Sequence, residues 1–406
     1  MTFLNGVGIM KKVISTKKVL KRYIKKGKAV GNNYEVKTPN IKVPYFAYKQ
    51  RIEKYKDRYV KAYELGLDTI SDWLSAGPTS DYYTPSRAVL ANKCAHYSEI
   101  NHWHFTDCGS DAIQAALAVT TEPGDQVIIP AWGFIATPEN ILWINRKIIF
   151  CDNGPDAMMC PNSLAEALDK FPTAKVVMPV HLLGRVQDVE MISNIVLKNA
   201  WIVEDAANAF YMNDGGNKPG YADISCYSFD IAKHPASTGT GGAVATSSKR
   251  LIDDMKEVTQ QGFNKNRNGF VAPATKSSMD DTTARIIAED IDILIENDVR
   301  ERRRATNELF EKEINQERLT GENNICTGFG FFPSKMSAKE AAGEFKKVGI
   351  GVSVYPCFPD MPCFSACDSV EYPYAKRLAK ELVILPLHEY LTDDHKSLMI
   401  EVSNSL

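Results

Sequence analysis

No apolar run in the chain approaches the roughly 18 residues that a membrane-spanning helix needs. Its opening residues also lack the apolar core of a secretory signal. A protein without a membrane span is the expectation. There is no C-x-x-C pair, and the nine cysteines (Cys94, Cys108, Cys151, Cys160, Cys226, Cys326, Cys357, Cys363, Cys367) are scattered and odd in number. Cys363 and Cys367 stand four apart with no histidine cluster to complete a zinc site, so a reducing, cytoplasmic compartment is the simplest account. Histidine is scarce. His96, His102 and His104 lie close in sequence, but a helix-to-strand transition between them would keep them off one face, which favours structural roles over a metal. A formal net charge of -2 gives no global pull toward nucleic acid. Internal repeats and low-complexity segments are absent as well.

What is present is enough for a large core: 406 residues, 44% of them hydrophobic, suit one large and one small domain. Residues 1–50 read as a basic extension. Between Lys11 and Lys28 there are nine Lys/Arg and no acid, and Val13, Leu20 and Ile24 fall near one helical face. Such a helix suits a membrane surface or a polyanion; a solvated arm, or one packed on a partner subunit, is the plainer reading. Residues 51–280 read as the large domain, in which strand-like and helix-like runs alternate from Phe105 through Val244, the rhythm of a mostly parallel sheet flanked by helices. Residues 281–406 read as a long charged helix, Asp281 to Ile314, followed by a small domain. Arg300 to Arg304 looks basic, yet among alternating acids and bases it reads as a solvated face.

The rest is organised around Trp201 to Gly242. An apolar run ends in Glu204-Asp205, a turn-rich insert follows, and a second run from Ile224 stops at Ser228-Phe229, with Lys233 on the loop beyond. A carboxylate at one strand end and a lysine past the next suit an aldehyde cofactor of the pyridoxal phosphate (PLP) kind. The amine condenses with the aldehyde, and the acid keeps the ring nitrogen protonated. Taken alone, each residue reads more plainly as a solvated lysine or a turn acid. Upstream, a strand ending near Thr106 meets Gly109-Ser110-Asp111 at a helix start, where free N–H groups make an anion site. Past Pro130, Trp132 and Phe134 are both able to stack on a flat ring or to fill a core. His181, after the run Val176-Val177-Met178, reads as a structural hydrogen-bonding group.

These segments resemble the DegT/DnrJ/EryC1/StrS family of PLP-dependent sugar aminotransferases. The shared patterns are Glu204-Asp205-Ala206-Ala207-Asn208-Ala209, Ser228-Phe229 through Lys233, and Gly239-Thr240-Gly241-Gly242. Pro130 to Thr137, Pro179-Val180-His181 with Gly184, Tyr355-Pro356 and Leu385-Pro386-Leu387 add to them. Asn208 stands for the usual glutamine, Thr240 for an acid and Val354 for a histidine. The run Thr275 to Met279 lacks the usual asparagine and arginine.

The resemblance implies an α/β, fold-type-I PLP-dependent transferase with a mostly parallel seven-stranded sheet and a smaller C-terminal α/β domain. It makes Lys233 and Asp205 catalytic. Cofactor contacts are expected from Gly109, Ser110, Asp111, Phe134, Asp205, Asn208, Ser228 and Lys233, with Lys276 a possible cation for the phosphate. Substrate contacts are expected from His234 and Tyr355, and no metal is expected. The implied reaction moves an amine from glutamate to a nucleotide-linked keto-deoxysugar, in a homodimer with sites at the interface. Three alternatives remain. A dehydratase of the same family carries histidine in the lysine's place, so the neighbouring His234 matters. A cysteine desulfurase would need a mobile nucleophilic cysteine, and none lies in such a motif. A non-catalytic PLP-binding regulator is the third.

Overall fold

Val127, Ile128 and Ile129 leave no polar face, so a strand built from them must be covered on both sides. The computed structural model describes residues 41–75, 84–197, 199–210, 219–264, 269–321 and 327–406. The basic run 11–28, Gly77-Pro78 and much of the turn-rich insert lie outside these residues. Helices α1 (Tyr48–Ser75) and α2 (Pro85–Ser98) lead into β1 (His102–Thr106), α3 (Gly109–Thr120), β2 (Gln126–Pro130), α4 (Ala136–Trp143) and β3 (Lys147–Cys151). Then come α5 (Pro161–Lys170), β4 (Val176–Val177), α6 (Val189–Val196), β5 (Trp201–Asp205), β6 (Ile224–Ser228), β7 (Gly242–Thr246) and α7 (Lys249–Thr259). The chain continues through α8 (Asp281–Glu296), α9 (Val299–Glu313), β8 (Glu317–Arg318), β9 (Gly328–Phe332), α10 (Ala338–Lys347), β10 (Asp368–Ser369), α11 (Pro373–Glu381), β11 (Val383–Pro386) and α12 (Asp393–Ser405).

The large sheet has the order β1-β7-β6-β5-β4-β2-β3-β10, and only β7 runs antiparallel to its neighbours. Val127, Ile129, Ile148 and Phe150 pack into one apolar cluster with Ala112 and Ala116 of α3. Ile128, Ile149, Val177 and Ile202 pack into another with Leu164 of α5 and Ile192 of α6. Helices thus cover both faces. The sheet has eight strands where seven were expected, because the two-residue β10 reaches back from the C-terminal part and pairs in parallel with Ile149 and Phe150. No apolar run marks β10 in the sequence; tertiary packing at the sheet edge makes it.

A separate antiparallel sheet, β11-β9-β8, supports a second core that includes Phe310, Phe329, Phe331, Phe345 and Met399. Val43 joins that core at 0% exposure and forms a bridge with Ile350. The single long helix expected from Asp281 to Ile314 is two helices. They part at Asn297 and Asp298, the latter at φ 47°, a left-handed conformation that aspartate tolerates better than most residues. The Asn297 side chain helps close the first helix by donating to the Ile293 carbonyl at 2.8 Å. Arg300 to Arg304 is likewise not a uniformly solvated patch. Arg303 is only 2% exposed and pairs with Glu389 at 2.8 Å, because α9 turns that side chain inward against the loop after β11.

Candidate active site

Parallel strands gather ligands at their carboxyl ends, and the predicted site residues collect there. Thr106, Gly242 and Ser228 sit side by side, in register, at one edge of β1, β7 and β6. This brings the turn before α3 onto the end of β6. A Cβ at Gly109 would lie 2.8 Å from the Ser228 Cβ, and one at Gly242 only 2.1 Å from the Cys108 carbonyl oxygen. Both positions demand glycine for close approach. The first turn of α3 therefore presents the N–H groups near Ser110 and Asp111 beside the Ser228 hydroxyl, a cradle for an anion. The Asp111 carboxylate accepts from the Ser277 hydroxyl at 2.7 Å, and Ser277 in turn accepts the Asp107 N–H at 2.9 Å. Ser278 N–H donates to Asp107 at 3.1 Å, so the segment carrying Lys276 is latched onto this turn. Lys276 itself is exposed.

Asp205 ends β5, 5% exposed. One carboxylate oxygen accepts the Thr137 hydroxyl at 2.6 Å and the other the Ala207 N–H at 3.1 Å. The loop after β6 is folded by Asp230, which accepts the Ala232 N–H at 2.9 Å on its side chain and the Lys233 N–H at 2.8 Å on its carbonyl. Phe229, fully buried, plugs it to the core. Lys233 Nζ then donates to Asn208 Oδ1 at 2.8 Å and lies 5.8 Å from the Phe134 ring centre. Burial pulls its amine below the usual lysine range, against the attraction of Asp205 and Asp230.

The two aromatics after β2 part company. Trp132 is fully buried, its Nε1–H donating to the Tyr355 carbonyl at 3.0 Å, whereas Phe134 is 49% exposed. The Tyr355 ring meets Phe134 edge-on at 6.1 Å. The His234 ring points elsewhere, between the guanidinium groups of Arg51 and Arg303, at 2.8 Å and 2.5 Å. Burial and the two arginines push its pKa well below the usual range, so it is neutral. His181 accepts the Gln187 N–H at 3.0 Å and faces Glu204 at 3.1 Å, fully buried behind Asp205. His104 is buried against Thr259 at 2.7 Å, its pKa pushed down to about 3. Among the described residues no His/Cys/Asp/Glu group is suited to a metal ion.

Sequence reasoning did not single out Thr137, although it closes the same Pro130 to Thr137 pattern. Arg51, Arg303, Asp290 and Glu389 carry no local signal at all, since they meet only through tertiary packing.

A buried carboxylate, a partly buried lysine, an open aromatic face and an anion cradle fit PLP: ring nitrogen, aldehyde, ring face and phosphate each have a partner here. The fold and this site define a PLP-dependent transferase of fold type I. The model of the DegT/DnrJ/EryC1/StrS aminotransferase family matches residues 68–402, and the chain belongs to that family. It is 26% identical over 289 residues to the UDP-2-acetamido-2-deoxy-3-oxo-D-glucuronate aminotransferase of Pseudomonas aeruginosa, which covers 70% of this chain and 80% of that one. Its fold superposes on S. venezuelae DesV, solved with a ketimine intermediate, at a TM-score of 0.79, 21% identity, and coverage of 91% and 98%. The PLP form of the sugar aminotransferase Spr1654 from Streptococcus pneumoniae gives 0.73 at 21% identity, covering 84% and 95%.

Proposed function

We propose that this chain moves an amino group from an amino acid, glutamate, to a keto group of a nucleotide-linked deoxysugar, a step of amino-sugar formation. Bound PLP supplies an aldehyde carbon that holds the migrating amine and a ring that draws electrons from it. Lys233 Nζ anchors the cofactor and, once free, carries the proton taken from the donor Cα. The lowered proton affinity that burial imposes suits it to that second task. Asp205, held by Thr137 and the Ala207 N–H, would hold the ring nitrogen and keep it protonated. Gly109, Ser110, Asp111 and Ser228 hold the phosphate, with Lys276 a nearby cation. Phe134 would stack on the ring, Asn208 directs the lysine and Tyr355 would border the substrate, whereas His234, enclosed by Arg51 and Arg303, would brace the lysine loop without touching substrate. The working form in this reading is a homodimer that closes the site.

The observation that carries this reading is the direction of two neighbouring side chains. Lys233 reaches Asn208 beside Phe134, while the His234 ring is enclosed by arginines. Hydroxyl removal would need a histidine where the lysine stands, so the geometry favours amine transfer. The test is an absorbance spectrum of the purified protein with and without glutamate, beside Lys233→Ala. A visible band of lysine-bound cofactor that fades with glutamate, while a pyridoxamine band grows, and that Lys233→Ala lacks, is expected. No band after adding PLP would end the reading. A band that no amino donor alters would favour the regulatory alternative.

A further inference from the structure

Arg51 lies on α1, ahead of the residues 68–402 that the family model matches, and its side chain is 9% exposed. It reaches across 182 positions of sequence to the cofactor lysine's own backbone. Its Nη2 donates to the Lys233 carbonyl at 3.1 Å and approaches His234 Nδ1 at 2.8 Å, and its Nη1 donates to Asp290 at 3.2 Å. Asp290, fully buried on α8, returns to the same loop: the oxygen that meets Arg51 also accepts the Ala236 N–H at 2.8 Å. One buried ion pair thus grips a carbonyl, a ring and an amide between residues 233 and 236. From the other side Arg303 meets His234 Nε2 at 2.5 Å and is itself held by Glu389 at 2.8 Å. Each guanidinium can only donate and a neutral imidazole has a single nitrogen lone pair, so His234 accepts through one ring nitrogen only.

A lysine side chain has four rotatable bonds, so where its amine arrives depends on how firmly its Cα is held. The N–H of Lys233 is bound within its own loop, by Asp230. Its carbonyl is bound by Arg51. We propose that Arg51 is a positioning residue for Lys233: its guanidinium fixes the peptide plane between residues 233 and 234 and so aims Nζ at the cofactor aldehyde. This rests on Lys233 being the cofactor lysine. A guanidinium suits the task because its planar fork serves the Lys233 carbonyl and Asp290 at once, which a single ammonium cannot match in geometry.

The experiment uses the full chain with PLP and two variants. Arg51→Lys keeps a positive charge for Asp290. The double variant Arg51→Gln/Asp290→Asn removes both charges together, so that neither is left buried alone. Urea unfolding of the cofactor-free proteins, pH titration of the visible band, and the rate of PLP release are measured. Borohydride trapping of PLP on Lys233, read by mass spectrometry, accompanies them. At least one variant should unfold as wild type does, yet show its band midpoint moved by about one pH unit. It should also release PLP about tenfold faster, the equivalent of a lost hydrogen bond. Folded variants with wild-type titration and release would overturn the proposal. So would failure of both to fold, which would make Arg51 a purely structural residue. A wild-type protein that shows no band and traps no PLP on Lys233 would instead overturn the assignment of Lys233, and the role of Arg51 with it.

Discussion

Thr137→Val tests how Asp205 is held. The Asp205 carboxylate is buried and accepts from the Thr137 hydroxyl at 2.6 Å and the Ala207 N–H at 3.1 Å. Valine keeps the shape of threonine and removes the shorter of these bonds. A hydrogen bond to a charged group contributes about 1.5–3 kcal/mol, so the cofactor-free protein should lose about that much unfolding free energy. PLP binding should weaken as well, because a carboxylate free to turn must be ordered when it meets the ring nitrogen. A share of about 1.4 kcal/mol corresponds to a tenfold rise in the dissociation constant. Thr137→Ser, which restores the hydroxyl, should recover most of both losses. Urea melts and titration of the cofactor-free protein with PLP, followed by absorbance, read the two effects separately. If Thr137→Val melts and binds as wild type does, Thr137 does not orient Asp205 and the account of this carboxylate fails.

Three further outcomes follow from the same structure. Arg303→Met leaves Glu389 buried without its partner and should cost about 3–5 kcal/mol, whereas Arg303→Met/Glu389→Leu should regain much of that in urea melts. Arg304→Ala, whose side chain is 51% exposed, should change stability by less than about 1 kcal/mol. Lys233→Met should stabilise the cofactor-free protein, most at neutral and lower pH. Burial holds the folded pKa of Lys233 below its unfolded value, so the unfolded chain binds the extra proton between the two. Wild-type stability should therefore gain on the variant as pH rises through that window toward 10.5, the ordinary lysine value, and the difference should then level off; a difference flat with pH would contradict the burial of the amine.

The positions of Asp205, Lys233 and the turn before α3 were legible because each sits where a strand pattern ends and a loop begins. β3 runs from Lys147 to Cys151 as its apolar run indicates, and β5 ends on Asp205 as expected. β4 is shorter than its apolar run. Pro179 has no N–H to give, and pairing resumes only as the single bridge between Val180 and Asp205. The break between α8 and α9 was hidden, since two acceptable helix patterns on either side of Asn297-Asp298 read as one. Arg303 was misplaced for a related reason: charge pattern alone does not say which face of a helix meets another part of the chain.

By itself the sequence determined the alternation of strand and helix, the strand ends that carry Asp205 and Ser228, the helix start at Gly109, and the lysine on the loop past β6. These are local properties: apolar runs must be buried, and glycine is required where two backbones nearly touch. Only the tertiary structure decided which way the neighbouring Lys233 and His234 side chains turn, which of Trp132 and Phe134 stays open, and that Arg51 grips the lysine's carbonyl. Each of those depends on charges and ring faces from segments far apart in sequence, whose meeting no local pattern records.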